Sequence, residues 1–98
     1  MTIEFKVAND SNYFDPENTM TEQEYNDFVD SFIYNLKNTI SENYNDATDD
    51  FEVLVEKGAN PVHQVSVYDV PEDYFEDEDT IVGECKRIAN EVFASMEY

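Results

Sequence analysis

Apolar and polar residues alternate from the start of the chain. Ile3, Phe5 and Val7 fall on one side of an extended backbone, with Thr2, Glu4, Lys6 and Ala8 on the other. A period of two marks a strand with one buried face. Residues 9–20 are rich in Asn, Asp, Ser and Pro, which predicts a loop. The spacing then becomes helical, with Tyr25, Phe28, Val29, Phe32, Ile33, Leu36 and Ile40 on one stripe and Asp27, Asp30, Tyr34 and Asn38 opposite. Thr21 followed by Glu24 is a capping box, and Met20 with Tyr25 supplies the matching hydrophobic staple. This helix is expected to end near Tyr44, before the polar run at residues 45–50.

Alternation returns at Phe51, Val53 and Val55, set against Glu52, Leu54 and Glu56. Turn residues follow at Lys57-Gly58-Ala59-Asn60-Pro61. A second strand runs from Val62 to Asp69, with Val65 and Val67 facing away from Gln64, Ser66 and Tyr68. Two such runs around a turn predict a hairpin. Residues 70–79 form an acidic connection with room for a short helical turn after Pro71. A last helix carries Ile81, Val82, Cys85, Ile88, Ala89, Val92, Phe93 and Met96 on one stripe. The expected fold is α+β: a βαββα two-layer sandwich, its three-stranded sheet carrying two helices on one face. If the first two strands are parallel neighbours, the helix between them is a right-handed crossover. At 98 residues without an internal repeat, the chain is expected to be a single compact domain spanning residues 1–98.

Charge changes this picture most. The chain has 24 Asp+Glu against 5 Lys+Arg, a net charge of −19. Disordered acidic chains lack apolar residues, whereas this one is 41% hydrophobic and holds seven Tyr and seven Phe. It is therefore expected to fold against its own repulsion, and to be more stable in moderate salt or mildly acidic buffer. A compact chain of this length spans roughly 33 Å, over which duplex DNA carries roughly 19 charges. Such a surface repels nucleic acid and anionic lipid, so the expected partners are basic proteins, with no direct nucleic acid and no membrane. One cysteine excludes an internal disulfide and fits a reducing compartment. No leader-like pattern opens the sequence and no apolar run is long enough to span a bilayer, so a soluble cytoplasmic protein is expected.

Enzymatic signatures are missing: there is no glycine-rich phosphate loop, no G-x-S-x-G and no H-E-x-x-H. His63, the single histidine, sits near the turn end of the third strand and is expected to be exposed and structurally neutral. Cys85 falls on an apolar stripe, where a buried, inert thiol is expected. Neither 43–52 nor 69–79 has the central glycine or the spacing of an EF-hand loop. The expectation is a protein that is not an enzyme, with no catalytic residue, no cofactor and no dedicated metal site, beyond weak Ca²⁺ or Mg²⁺ association.

The acids fall into three groups. The densest is Asp69, Glu72, Asp73, Glu76, Asp77, Glu78 and Asp79, seven acids in eleven residues with no base among them. The second is Asp46, Asp49, Asp50 and Glu52, and the third Glu22, Glu24, Asp27 and Asp30. Helix N-termini favour Glu22, Glu24 and Asp77 to Asp79, and a strand's solvent face accommodates Glu52 and Glu56. Solvation normally comes with interspersed bases, yet only Lys6, Lys37, Lys57, Lys86 and Arg87 occur. Salt adaptation also gives excess acid, but with few bulky aromatics outside the core. Here Tyr13, Phe14, Tyr34, Tyr68, Tyr74 and Phe75 lie outside the evident core stripes and interleave with acids, as at an interface. The candidate partner-binding residues are Asp69 to Asp79, with Tyr74 and Phe75 as anchors. Glu24, Asp27 and Asp30 form a second edge, and Asp46, Asp49 and Asp50 lead in.

In length, charge, interleaving of aromatics with acids and a compact α/β architecture, the chain resembles the small acidic DNA-mimic inhibitors of phages and mobile elements. Among them it is most similar to an anti-CRISPR protein. The resemblance implies an inhibitor in the host cytoplasm that occupies the DNA-binding path of a CRISPR effector. Two alternatives remain open: an antirestriction or other DNA-enzyme inhibitor, and an acidic interaction module for a basic partner unrelated to DNA. A small metal-loaded acidic domain is a third.

Overall fold

The alternating run at the start of the chain becomes the middle strand of the sheet. A computed structural model describes residues 1–44 and 51–96. β1 (Thr2–Val7) has β2 (Glu52–Lys57) beside it in parallel and β3 (Gln64–Tyr68) antiparallel on its other side, giving the order β2-β1-β3. A single helical turn, α1 (Ser11–Phe14), and a long helix, α2 (Glu22–Tyr44), connect β1 to β2, and α3 (Glu78–Ser95) follows β3. The α+β class and the βαββα order are as expected, with α1 added inside the segment that reads as loop. Its cap is local: Asp10 accepts the Asn12 N–H at 3.0 Å.

The hairpin does not form. β2 and β3 each pair with β1 instead, so that Thr2 lies opposite both Glu52 and Tyr68, and Phe5 opposite both Val55 and Val65. Ile3, Phe5 and Val7 are at most 1% exposed, the most completely apolar inward face of the three strands. A central position shields that face from both sides and satisfies both backbone edges of β1. The turn residues Lys57–Pro61 therefore carry the chain across the end of β1 rather than back along β2. There the Gly58 N–H donates to Val7 O at 2.8 Å and the Asn9 N–H to Asn60 O at 2.7 Å. A Cβ on Gly58 would sit 2.9 Å from Val7 O and 3.1 Å from Lys6 Cβ, so the crossing depends on glycine.

Inward residues of all three strands join the helical stripes in one hydrophobic core. Val29, Phe32, Leu36, Ile40 and Tyr44 come from α2, and Ile81, Cys85, Ile88, Ala89 and Val92 from α3. The opposite sheet face is open: Glu52, Leu54, Glu56, Gln64, Ser66 and Tyr68 are exposed, with Thr2, Glu4 and Lys6 half-buried between them. At one end of the core the aromatic rings gather. Phe14 lies 5.3 Å from Phe32 and 5.8 Å from Phe93, and Tyr13 lies 4.8 Å from Phe93. Phe14, outside the evident stripes in the sequence, is only 3% exposed.

The capping box of α2 closes as its spacing requires. The Thr21 N–H donates to Glu24 Oε1 at 3.0 Å and the Glu24 N–H to Thr21 Oγ1 at 3.2 Å. Thr21→Ala is expected to cost about 1 kcal/mol of unfolding free energy, read from the urea midpoint at constant m-value.

The Cα envelope measures 47 × 22 × 17 Å, longer than the 33 Å of a compact sphere. Duplex DNA 47 Å long carries about 28 charges. The match of charge to length therefore fails for the whole molecule, and any imitation of a duplex is local. None of the described helices is long and apolar enough to cross a membrane.

Candidate functional site

The acidic connection is fixed at both ends. It leaves β3 through Asp69, whose φ of 57° lies in the left-handed region that aspartate tolerates better than most residues. It enters α3 through Asp77, the N-cap, whose Oδ1 accepts the Thr80 N–H at 2.8 Å. Hydrogen bonds from the Thr80 side chain and amide hold the Asp77 carboxyl below the usual carboxylate range. Between these points the chain makes a turn, with the Tyr74 N–H donating to Pro71 O at 3.1 Å, and no helix.

Tyr74 folds down against the core, and burial raises its phenol pKa. Phe75 points away and is 83% exposed, its ring 4.7 Å from that of Tyr74. Asp69, Glu72, Asp73, Glu78 and Asp79 are exposed and Glu76 half-buried. The turn thus holds an exposed aromatic ring amid carboxylates, and one carboxylate, Asp77, is committed to the helix cap.

Three of the five basic side chains are engaged elsewhere. Lys6 pairs with Glu4 at 3.4 Å and with Glu56 across the open sheet face. Lys57 pairs with Asp30 at 3.2 Å, and Arg87 bridges Glu84 and Glu91 along α3. Among the described residues none of the seven acids from Asp69 to Asp79 takes part in an ion pair.

Among the described residues, the acids of the first turns of α2 and the acidic connection do not share one surface. Thr2 is opposite Glu52 and Tyr68, so the 69–79 connection departs from the Met1 end of the sheet, with Glu52 at the same end. Glu24, Asp27 and Asp30 lie at the other end, where the first turns of α2 line a small cavity with Ala8, Asn9, Lys57 and Gly58. Glu24 closes the capping box, Asp27 accepts from Gln23 Nε2 at 3.0 Å, and Asp30 holds Lys57. The helix acids are therefore not a second edge of the connection: α2, about 34 Å for 23 residues, runs from their end of the sheet to the other. Asp46, Asp49 and Asp50 lie outside the described residues.

Three polar residues with structural roles escaped the sequence pattern. Asp15 is buried, accepting the Thr19 and Met20 N–H groups at 2.9 Å each and the Thr19 hydroxyl at 3.2 Å. Those bonds, led by the two backbone donors, hold its carboxyl below the usual range and fix the entry into α2. Its only sequence signal is an Asp shortly before a helix start. His63 is half-buried rather than exposed, with Nδ1 accepting the Ala8 N–H at 2.9 Å. The Tyr44 hydroxyl is buried at the end of α2, and burial raises its pKa, with Cys85 and Glu76 adding to the shift. Cys85 is buried as expected, and that burial pushes its thiol up to about 12. Among the described residues, no three carboxylate, histidine or cysteine side chains gather closely enough to share a metal ion.

Comparisons of the chain with protein-family models, with curated proteins and with solved structures find no match.

Proposed function

We propose that the chain is a DNA-mimic inhibitor of the anti-CRISPR type, binding the basic DNA path of a CRISPR effector and excluding target DNA. The observation that supports this most is the 69–79 connection. It is an acidic turn anchored in β3 and α3, unpaired with any described cation, around an exposed Phe75. Carboxylates on an anchored turn can meet the Lys and Arg that normally neutralise phosphates, with less ordering entropy lost than for a free chain. Phe75 adds apolar contact area that phosphate does not supply. Opposite net charge speeds the encounter, which suits an inhibitor that must act before DNA arrives.

The test is competition. Purified single-chain and multisubunit CRISPR effectors are loaded with guide RNA and a labelled target duplex, and the protein is added in a mobility-shift series. Loss of duplex binding, with an inhibition constant that weakens steeply as salt rises, is the expected result. A ternary complex with the duplex fully bound overturns the proposal.

The open sheet face favours a second possibility, an acidic module for a basic protein unrelated to DNA. Leu54 and Tyr68 are 44% and 49% exposed there, an apolar area that imitation of a phosphate backbone does not require. Binding to a basic partner without loss of DNA binding by any effector identifies that case.

A further inference from the structure

We infer that His63 is a proton-operated latch that holds the crossing between β2 and β3 onto the end of β1 and releases it in mild acid. The imidazole is lodged in an aromatic box. Its ring stacks on Phe32 at 6.0 Å and 12°, lies 5.2 Å from Phe5, and meets Tyr13 edge-on at 4.9 Å. Nδ1 accepts the Ala8 N–H at 2.9 Å. A nitrogen that accepts carries no proton, so the neutral ring has its hydrogen on Nε2. Nε2 is itself buried without a hydrogen-bond partner among the described residues.

Both nitrogens of imidazolium are donors. Protonation would turn Nδ1 from acceptor into donor, facing the Ala8 N–H donor head-on. The same event would place a full charge among Phe5, Phe32 and Tyr13, with Nε2–H still unpartnered. Beyond the weak attraction of aromatic faces for a cation, the groups around the ring offer the charge no anion and no acceptor. β1 presents Phe5 and the Ala8 amide, α2 presents Phe32, and α1 presents Tyr13, whose hydroxyl is directed to Asn90 Oδ1 at 3.5 Å. The charged group felt from α3 is Lys86, itself a cation. Among the described residues no carboxylate is within ion-pair distance of the ring. This is the reverse of what a chain of net charge −19 would provide at most of its surface.

Burial first, and Lys86 second, lower the His63 pKa below its ordinary 6.5. The folded state then binds fewer protons than the unfolded one below that value, so stability supplied by the latch is complete above about 6.5 and is lost as pH falls below it. What opens is local. The bonds from Ala8 to His63, from Asn9 to Asn60 and from Gly58 to Val7 all tie the same crossing to the same strand end. The 69–79 connection, at the far end of the sheet, is not part of the latch.

The experiment is an NMR titration of the full chain from pH 7.5 to 5, following the imidazole nitrogens of His63 and the exchange of backbone amides. Expected are a neutral Nε2–H tautomer at pH 7.5 and a ring midpoint below 6.5. Protection of the Ala8, Asn9 and Gly58 amides should fall by up to about tenfold for each pH unit below 6.5, while Ile81 and Cys85 keep theirs. His63→Gln, whose side-chain carbonyl can accept the Ala8 N–H without titrating, should flatten the pH dependence at those three amides. A ring midpoint at or above 6.5, an Nδ1–H tautomer, or protection at Ala8 that ignores the titration overturns the latch. The wild-type titration decides the matter even if the variant does not fold.

Discussion

Phe32→Ala is expected to remove about 3–5 kcal/mol of unfolding free energy, a large share of the total for a domain of this size. Phe32 is 0% exposed and sits where the elements meet: Phe14 at 5.3 Å, His63 at 6.0 Å and Phe93 at 6.3 Å. Truncation removes the ring's burial from water and leaves a cavity whose walls come from α1, α3 and the β2–β3 crossing. These walls are held by separate segments and cannot all move inward together. Urea unfolding followed by far-ultraviolet circular dichroism measures the loss. Tyr34→Ala, on the outer face of the same helix and 68% exposed, is the control and should change stability by less than about 0.5 kcal/mol. A loss below about 1 kcal/mol for Phe32→Ala would mean that the aromatic end is loosely packed and that the core lies toward Ile40 and Ile81.

The second large effect is on binding. The combined variant Asp69→Asn, Glu72→Gln, Asp73→Asn and Asp79→Asn removes four exposed charges from the connection and leaves the Asp77 cap in place. Asparagine also tolerates the left-handed backbone at position 69. On the proposed function, affinity for the effector should fall about 4- to 1,000-fold at low salt, the scale of four exposed ion pairs acting together, and the salt dependence of binding should flatten. The melting temperature should hold or rise, because the variant repels itself less. Asp27→Asn, at the other end of α2, should leave affinity within about twofold. The same loss of binding free energy per charge removed in both proteins would mean that the partner senses net charge alone and that the connection has no special part.

The elements were legible because each long run commits to one period. The stripes from Tyr25 to Ile40 and from Ile81 to Met96 enter the core as expected, and Thr21 and Glu24 close their box. Strand order was not legible. Turn residues at Lys57–Pro61 fit a hairpin and a crossing equally well, and only competition among three strands for the central position decides between them. That competition is settled by the depth of burial of Ile3, Phe5 and Val7, a property of the assembled sheet. The burial of His63 was not legible for a related reason: it depends on α1 and on Phe32, both far away in sequence. The density of acid in 69–79 was plain from composition. Its separation from Glu24, Asp27 and Asp30 was not, because the direction of α2 relative to the sheet decides which end each group occupies.

The central position of β1 also governs how the chain reaches its fold. Thr2 must wait for Glu52 on one side and Tyr68 on the other, so no strand pairing in the sheet is local in sequence. Long loops have to close before any ladder bond repays them, which makes folding slower than that of a helical bundle of the same size. Until both partners arrive, Ile3, Phe5 and Val7 have only α2 to cover them. A fragment ending before β3 leaves one edge of its most apolar strand open, a template for pairing between chains. The abundant negative charge, whatever it binds in the finished protein, keeps such unfinished chains apart.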